Sequence, residues 1–185
     1  MDAMELLLTR ASARRLTEPA PDVGQMDEIL RGAVRAPDHG RLRPWRFIRI
    51  TGTGIARFGD LLAEATRRRD PQAAEAVLDK ERQKAFRAPM ILAVAAKLQS
   101  GGKIPEVEQL IAAGAAAQNV MLGLHALGFG AMWKTGGPAY DDFVKQALGL
   151  APEDAIVGFL YIGTTVGGPS PLPRPEPSEF LTDWT

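Results

Sequence analysis

Apolar positions along this chain follow two periods, one helical and one strand-like. Met4, Leu7 and Leu8 share a face behind Asp2 and Glu5, whose spacing reads as a capping box, and predict a short helix to about Thr9. Asp22 with Gln25 caps a second helix, in which Met26, Ile29, Leu30, Ala33 and Val34 recur at helical spacing until Pro37 stops it. Residues 45–50, Trp-Arg-Phe-Ile-Arg-Ile, are aromatic and β-branched and predict a strand. Ile55, Phe58, Leu61, Leu62 and Ala65 form a third helical stripe. Residues 90–96 are an unbroken apolar run between Pro89 and Lys97, as a strand buried on both faces requires.

The longest helix is expected over residues 105–127. Its centre, Ala112 to Ala117, is small-residue rich and nearly free of charge, and a helix apolar all round must be covered all round. A second copy of the chain or the monomer's own core could supply that cover. Residues 131–135 read as a short strand running into the Gly136-Gly137 turn. Asp141 and Asp142 open a helix ending near Gly149, and residues 156–162 form a strongly β-prone strand. The Arg67-Arg68-Arg69 run, with Lys80 and Arg82, reads as a solvated helical face. Strands separated by helices, without repeats or a linker, predict one α+β domain over residues 1–185. Residues 164–185, with prolines alternating from Pro169 to Pro177, are expected to be an extended arm.

Composition narrows the chemistry. Lys+Arg and Asp+Glu balance at 22 each, so the chain as a whole is not built for nucleic acid or an acidic membrane surface. It has no cysteine and two histidines, His39 and His125, which argues against disulfides, thiolate chemistry and a dedicated transition-metal site. No Gly-x-Ser-x-Gly elbow occurs, so a serine hydrolase fits poorly. An acidic start and the lack of a long apolar run point to a cytoplasmic protein. If the protein is an enzyme, a cofactor carries the chemistry.

The strongest chemical signal is Arg10-Ala11-Ser12 followed by Arg14 and Arg15. Guanidinium forks and a hydroxyl this close can surround a phosphate dianion through charge-assisted hydrogen bonds. The plainer reading is a solvated basic turn. Three later segments fit a ligand carrying that phosphate: residues 35–39 with Pro44-Trp45-Arg46-Phe47; Gly128-Phe129-Gly130 leading to Met132-Trp133-Lys134-Thr135-Gly136; and residues 156–163.

In this order, and spanning nearly the whole chain, the four segments resemble the FMN-dependent nitroreductases, especially the small minimal type. The resemblance implies a three-layer sandwich, with a central, mostly antiparallel sheet flanked by helices, in a domain-entwined homodimer with two FMN sites at its interface. It implies that Arg10, Ala11 and Ser12 hold the ribityl-phosphate end, and that Arg35 and His39 reach the flavin from the partner subunit. Trp133, Lys134 and Thr135 would lie beside the ring. The segment Gly123, Leu124, His125, Ala126, Leu127 and Gly128 corresponds to a nicotinamide-nucleotide region. The implied activity is hydride transfer from NADH or NADPH to FMN, then reduction of a small-molecule acceptor, nitroaromatic or quinone-like, by a ping-pong mechanism. The alternative is a flavin-binding or flavin-remodelling protein without NAD(P)H turnover. Two departures stand out: Arg10-Ala11-Ser12 where many relatives have Arg-Arg-Ser, with Arg14 or Arg15 available as the replacement cation, and Trp133-Lys134-Thr135 where Trp-Arg-Ser is common. Residue by residue, His39 can also be a turn-capping loop histidine, His125 a satisfied structural histidine and Trp133 plain core.

Overall fold

Seven apolar residues in succession leave strand β3 (Met90–Ala96) no solvent face, and the sheet is built outward from it. In chain order the other strands are β1 (Leu16–Thr17), β2 (Trp45–Thr51), β4 (Gly130–Lys134) and β5 (Ala155–Thr165). The helices are α1 (Ala3–Thr9), α2 (Val23–Ala33), α3 (Thr53–Arg69), α4 (Glu75–Gln83), α5 (Glu106–Ala126) and α6 (Asp142–Ala147). The structure, a computed structural model, describes residues 2–167 and 174–185.

β3 pairs antiparallel with β2 on one edge and β5 on the other, with a bulge opposite β5 between Val94 and Ala95. The far edge of β5 is shared by β4, which pairs residues 159–163, and β1, which pairs Thr164 and Thr165. All pairings are antiparallel. Because side chains alternate across a strand, Ile91, Ala93, Phe159 and Tyr161 point into a core with α3 and α6. Leu92, Val94, Leu160 and Ile162 point into a second core with α2 and α5. This is the α+β three-layer sandwich that the sequence led us to expect.

Local sequence explains most element boundaries. Asp2 caps α1 by accepting from the N–H groups of Met4 and Glu5, and Asp22 with Gln25 makes the full reciprocal box at α2. The Arg67–Arg69 run is ion-paired surface: Arg67 and Arg68 meet Glu64, Arg69 meets Asp141, and the Arg68 guanidinium lies 3.8 Å above the Phe143 ring.

Three features depart from the sequence expectations. β1 is two residues long, too short to show a period, and its pairing extends β5 through Thr165, so residues 164 and 165 belong to the sheet rather than the arm. α4, on which Lys80 and Arg82 lie, has a single buried apolar residue, Leu78, and hence no stripe to read. Within one chain α5 is covered on one side only. Ala112, Ala113, Ala116, Ala117, Val120 and Leu124 are buried, while Val107 and Ile111 are exposed and a side chain added at Gly114 would meet nothing within 4 Å. Pro169, Pro171 and Pro173 of the expected arm lie outside the described residues. Pro175 and Pro177 are exposed, and a single helical turn spans Pro177–Glu179.

The closest approach in the sheet joins β4 to β5. Trp133 lies across Gly158, its indole Nε1 donating to the Val157 carbonyl at 3.2 Å, and an added Cβ at position 158 would sit 2.1 Å from that nitrogen. Gly158→Ala should therefore displace the indole and destabilise the fold by about 1–3 kcal/mol, read as a lower urea midpoint with an unchanged slope.

Candidate functional site

The alternation that sorts the two cores also assembles a cationic groove. Met132 and Lys134 on β4 lie on the same face as Tyr161 on β5, at the end of the sheet where the chain enters β1. The segment after α1 runs beside β4, fixed by the Ala13 N–H donating to the Ala131 carbonyl at 2.9 Å. It thereby brings Arg14, Arg15 and Leu16 to the wall of a cavity of about 420 Å³ that Arg87, Met132, Lys134 and Tyr161 complete. A second cavity of about 300 Å³ continues from Lys134, Arg87 and Tyr161. It runs under the Thr135-Gly136-Gly137-Pro138 turn to Lys84 and an apolar floor of Phe58, Leu62 and Phe159.

Charge is the dominant property of this groove. Among the described residues, Arg10, Arg14, Arg15, Arg87 and Lys134 have no carboxylate within salt-bridge distance, although eleven such pairs occur elsewhere. Lys84 is the exception, held by Glu81. Arg10 ends α1, and its guanidinium Nη1 is buried without a hydrogen-bond partner. An orphaned charged donor is costly where water is excluded, so a site that keeps one is shaped for an anion. Arg174 reaches back to the Arg10 carbonyl at 3.0 Å and brings a further cation to this end. Ser12 is exposed beside it and Ala11 is half-buried.

The remaining expected site residues divide by location. Lys134 and Thr135 line the groove. The Trp133 ring does not: strand alternation turns it to the α2/α5 core, so residue 133 can serve a groove ligand only through its backbone. Arg35 lies instead with Glu28, Ile29, Gly32, Asn119, Leu122, Gly123, Ala126 and Leu127 in a separate, mostly apolar groove of about 400 Å³ between α2 and α5. His39 is elsewhere again, its Nδ1 2.6 Å from Glu108 Oε2. Glu108 is in the first turn of α5, roughly 16 Å along the helix from Asn119 beside Arg35.

The segment 123–128 spans the last turn of α5 and its cap, with Leu127 as the C-cap and Gly128 beyond it at a φ of 83°. Gly123 abuts Ile29, Leu124 is buried, and Ala126, Leu127 and Gly128 are exposed. The His125 Nε2 stands 2.9 Å from Thr9 Oγ1, whose proton goes to the Glu5 carbonyl, so the imidazole is the donor tying α5 to α1. Among the described residues no group of three or more histidines and carboxylates could hold a metal ion, and no helix is long and apolar enough to cross a membrane.

Sequence reasoning missed Arg87 and Tyr161. Tyr161 lies inside a β-prone run, and only the strand's two-residue period distinguishes its groove-facing side from that of Leu160. Arg87 precedes β3 with no local motif at all.

The family of this fold follows from its likeness to known proteins. The nitroreductase family model matches residues 7–164, and this chain belongs to that family. The YdjA protein of Escherichia coli strain K12, whose name places it among the NAD(P)H nitroreductases, is 40% identical over 183 residues, covering 98% of this chain and 99% of that protein. A nitroreductase-like protein of Bacillus cereus matches the fold with a TM-score of 0.84 at 24% identity, over 100% of this chain and 96% of that one. A Desulfovibrio desulfuricans nitroreductase homologue solved with FMN gives a TM-score of 0.75 at 26% identity, over 100% and 98%.

Burial raises the Tyr161 phenol above its usual value of 10.0; the nearby Arg87 cation opposes the rise and Glu81 adds to it. The neutral phenol is thus favoured in the folded state. As pH climbs past 10.0, the unfolded chain ionises first, and the stability contributed by Tyr161 falls until pH passes the folded value. Ultraviolet titration of the folded protein should show a phenol that ionises only above pH 10.0, absent in Tyr161→Phe, and the same substitution should flatten the loss of stability above pH 10.0.

Proposed function

We propose that this protein is an NAD(P)H-dependent FMN oxidoreductase, a homodimer reducing nitroaromatic or quinone-like acceptors by a ping-pong mechanism. The observation that carries the reading is the groove of unpaired cations Arg14, Arg15, Arg87 and Lys134, together with the buried Arg10 guanidinium nitrogen that lacks a partner. FMN fits this donor set: its phosphate dianion answers Arg10, Ser12 and Arg14 or Arg15, and its flat ring suits the long groove with an apolar floor at the far end. The homologous structure solved with FMN supports the choice. When bound, FMN supplies the two-electron chemistry that accepts hydride from NAD(P)H and returns it to an acceptor.

The chain's own residues bind and tune rather than react. Arg10 with Ala11 and Ser12 anchors the phosphate end. Lys134, with backbone groups of Trp133 and Thr135, faces the ring, and a cation there stabilises negative charge developing on the pyrimidine edge. No side chain in the groove is an activated nucleophile, which suits a site where donor and acceptor occupy one space in turn.

The homodimer explains features that one chain leaves open. α1 has no buried residue, and Leu7 and Leu8 are exposed. The α5 stripe at Val107, Ile111 and Gly114 is uncovered, and Phe180, Leu181 and Trp184 project from the C-terminal segment. Contiguous apolar surface of this kind marks an interface. In such a dimer, residues distant from the groove in their own chain, Arg35, His39 and the nucleotide-region segment 123–128, can serve the partner's site. The whole of residues 1–185 then acts as one domain whose C-terminal arm embraces its partner.

The purified protein should absorb in the flavin bands and release FMN, not FAD, on denaturation, identified by mass spectrometry. Arg10→Glu replaces attraction to the phosphate by repulsion and should abolish flavin retention with the far-ultraviolet circular dichroism unchanged. Retained flavin would refute the phosphate assignment.

Gly114→Leu tests the dimer separately. Among the described residues an added Cβ there meets nothing within 4 Å, so the overpacking expected is against a partner, where it costs about 1–3 kcal/mol. Light scattering over a dilution series should show dissociation at a higher concentration than for wild type.

A further inference from the structure

The loop between α2 and β2 carries backbone strain at two arginines. Gly40, Arg41 and Arg43 all have positive φ, at 70°, 57° and 49°. Glycine at 40 has a local reason, since a Cβ there would lie 2.0 Å from Ile104 Cδ1. Arginine has no intrinsic preference for the left-handed region, and such conformations persist only where surrounding contacts over-determine them.

Those contacts are present. The Asp38 carboxylate accepts from the Arg43 N–H at 2.8 Å, and the Arg46 guanidinium donates to the Arg43 carbonyl at 3.0 Å. Pro44 disfavours the right-handed helical region at Arg43. His39 pins the loop to Glu108 of α5, and buried Gln109 holds the Ile104 carbonyl behind it. What the loop gains is two exposed guanidinium groups. Among the described residues neither Arg41 nor Arg43 has a carboxylate within salt-bridge distance: Asp38 is engaged by the backbone and Glu108 by His39. Two free cations carried on a pinned loop are available to an anion.

The occupant follows if, as proposed above, the His39 loop flanks the partner's flavin; this inference rests on that reading. The loop then stands at the rim of the site, where the adenylate half of a reducing dinucleotide must emerge. NADPH differs from NADH by a 2′-phosphate, which planar guanidinium forks bind better than any neutral group does. We infer that Arg41 and Arg43 form the 2′-phosphate clamp that makes NADPH the preferred hydride donor.

The test compares NADPH and NADH on the flavin-loaded enzyme with a neutral benzoquinone as acceptor. It runs beside calorimetric titration with adenosine 2′,5′-bisphosphate and with 5′-AMP. Wild type should favour NADPH and bind the bisphosphate more tightly than AMP. Arg41→Gly removes the guanidinium while relieving the strain, and Arg43→Ala removes the second. Each should lower the NADPH-to-NADH ratio of kcat/KM about tenfold, through KM, and weaken bisphosphate binding by a similar factor. Arg41→Lys should restore part of both, and melting of Arg41→Gly at or above the wild-type temperature would exclude misfolding. Equal use of both dinucleotides by wild type, or bisphosphate binding that neither variant weakens, overturns the inference. Should neither dinucleotide be oxidised, the hydride-transfer reading fails, and the bisphosphate titration alone still decides the clamp.

Discussion

β5 is bonded along both edges, and the two sides of that bonding organise the rest of the molecule. β3 occupies one edge, while β4 and β1 share the other end to end. A slip of one residue in the β4–β5 register would exchange the faces of Trp133 and Lys134, moving the indole out of the core and the ammonium into it. The fit of Trp133 over Gly158 opposes such a slip, because the one glycine of β5 within the β4 pairing, Gly163, already faces Thr17 and Pro89. The position of Lys134 in the groove is therefore fixed by a packing contact on the opposite side of the sheet.

The same sheet gives the groove its electrostatic character. Surface arginines on α3 and α4 lie among carboxylates at helical spacing, and their charges are satisfied locally. The groove cations come from three separate pieces of chain: the segment after α1, the end of β4 and the turn before β3. Strand pairing concentrates them without their counter-charges. Repulsion among them is offset by the rest of the fold, and an anionic ligand relieves it.

Legibility in the sequence followed the range of the interactions. β3, the α2 capping box and the α3 stripe are written in residues a few positions apart, and the structure has them where the periodicities place them. β1 was invisible because two residues cannot display a period; its only signal is a partner about 150 positions away. Arg10-Ala11-Ser12 and Lys134 could be singled out because a local motif surrounds them. Arg87 and Tyr161 could not, since their value lies in a distance across the sheet. The α5 expectation was half met for a related reason: composition shows that the helix is apolar all round, but not which side its own chain covers.

The pairing of Leu16 with Thr165 has a consequence for synthesis. Every other strand pair can form once β5 has reached Gly163, but β1 needs the last two residues of β5. A ribosome making this chain thus releases a segment rich in arginine whose place in the sheet does not exist until Thr165 has been made. A chain truncated before Thr164 would retain both hydrophobic cores and the Ala13–Ala131 contact, yet lose the pairing that holds Leu16 and Thr17 in the sheet beside Arg14 and Arg15. The closing of the sheet over its N-terminal strand is in this way a report that translation has reached Thr165.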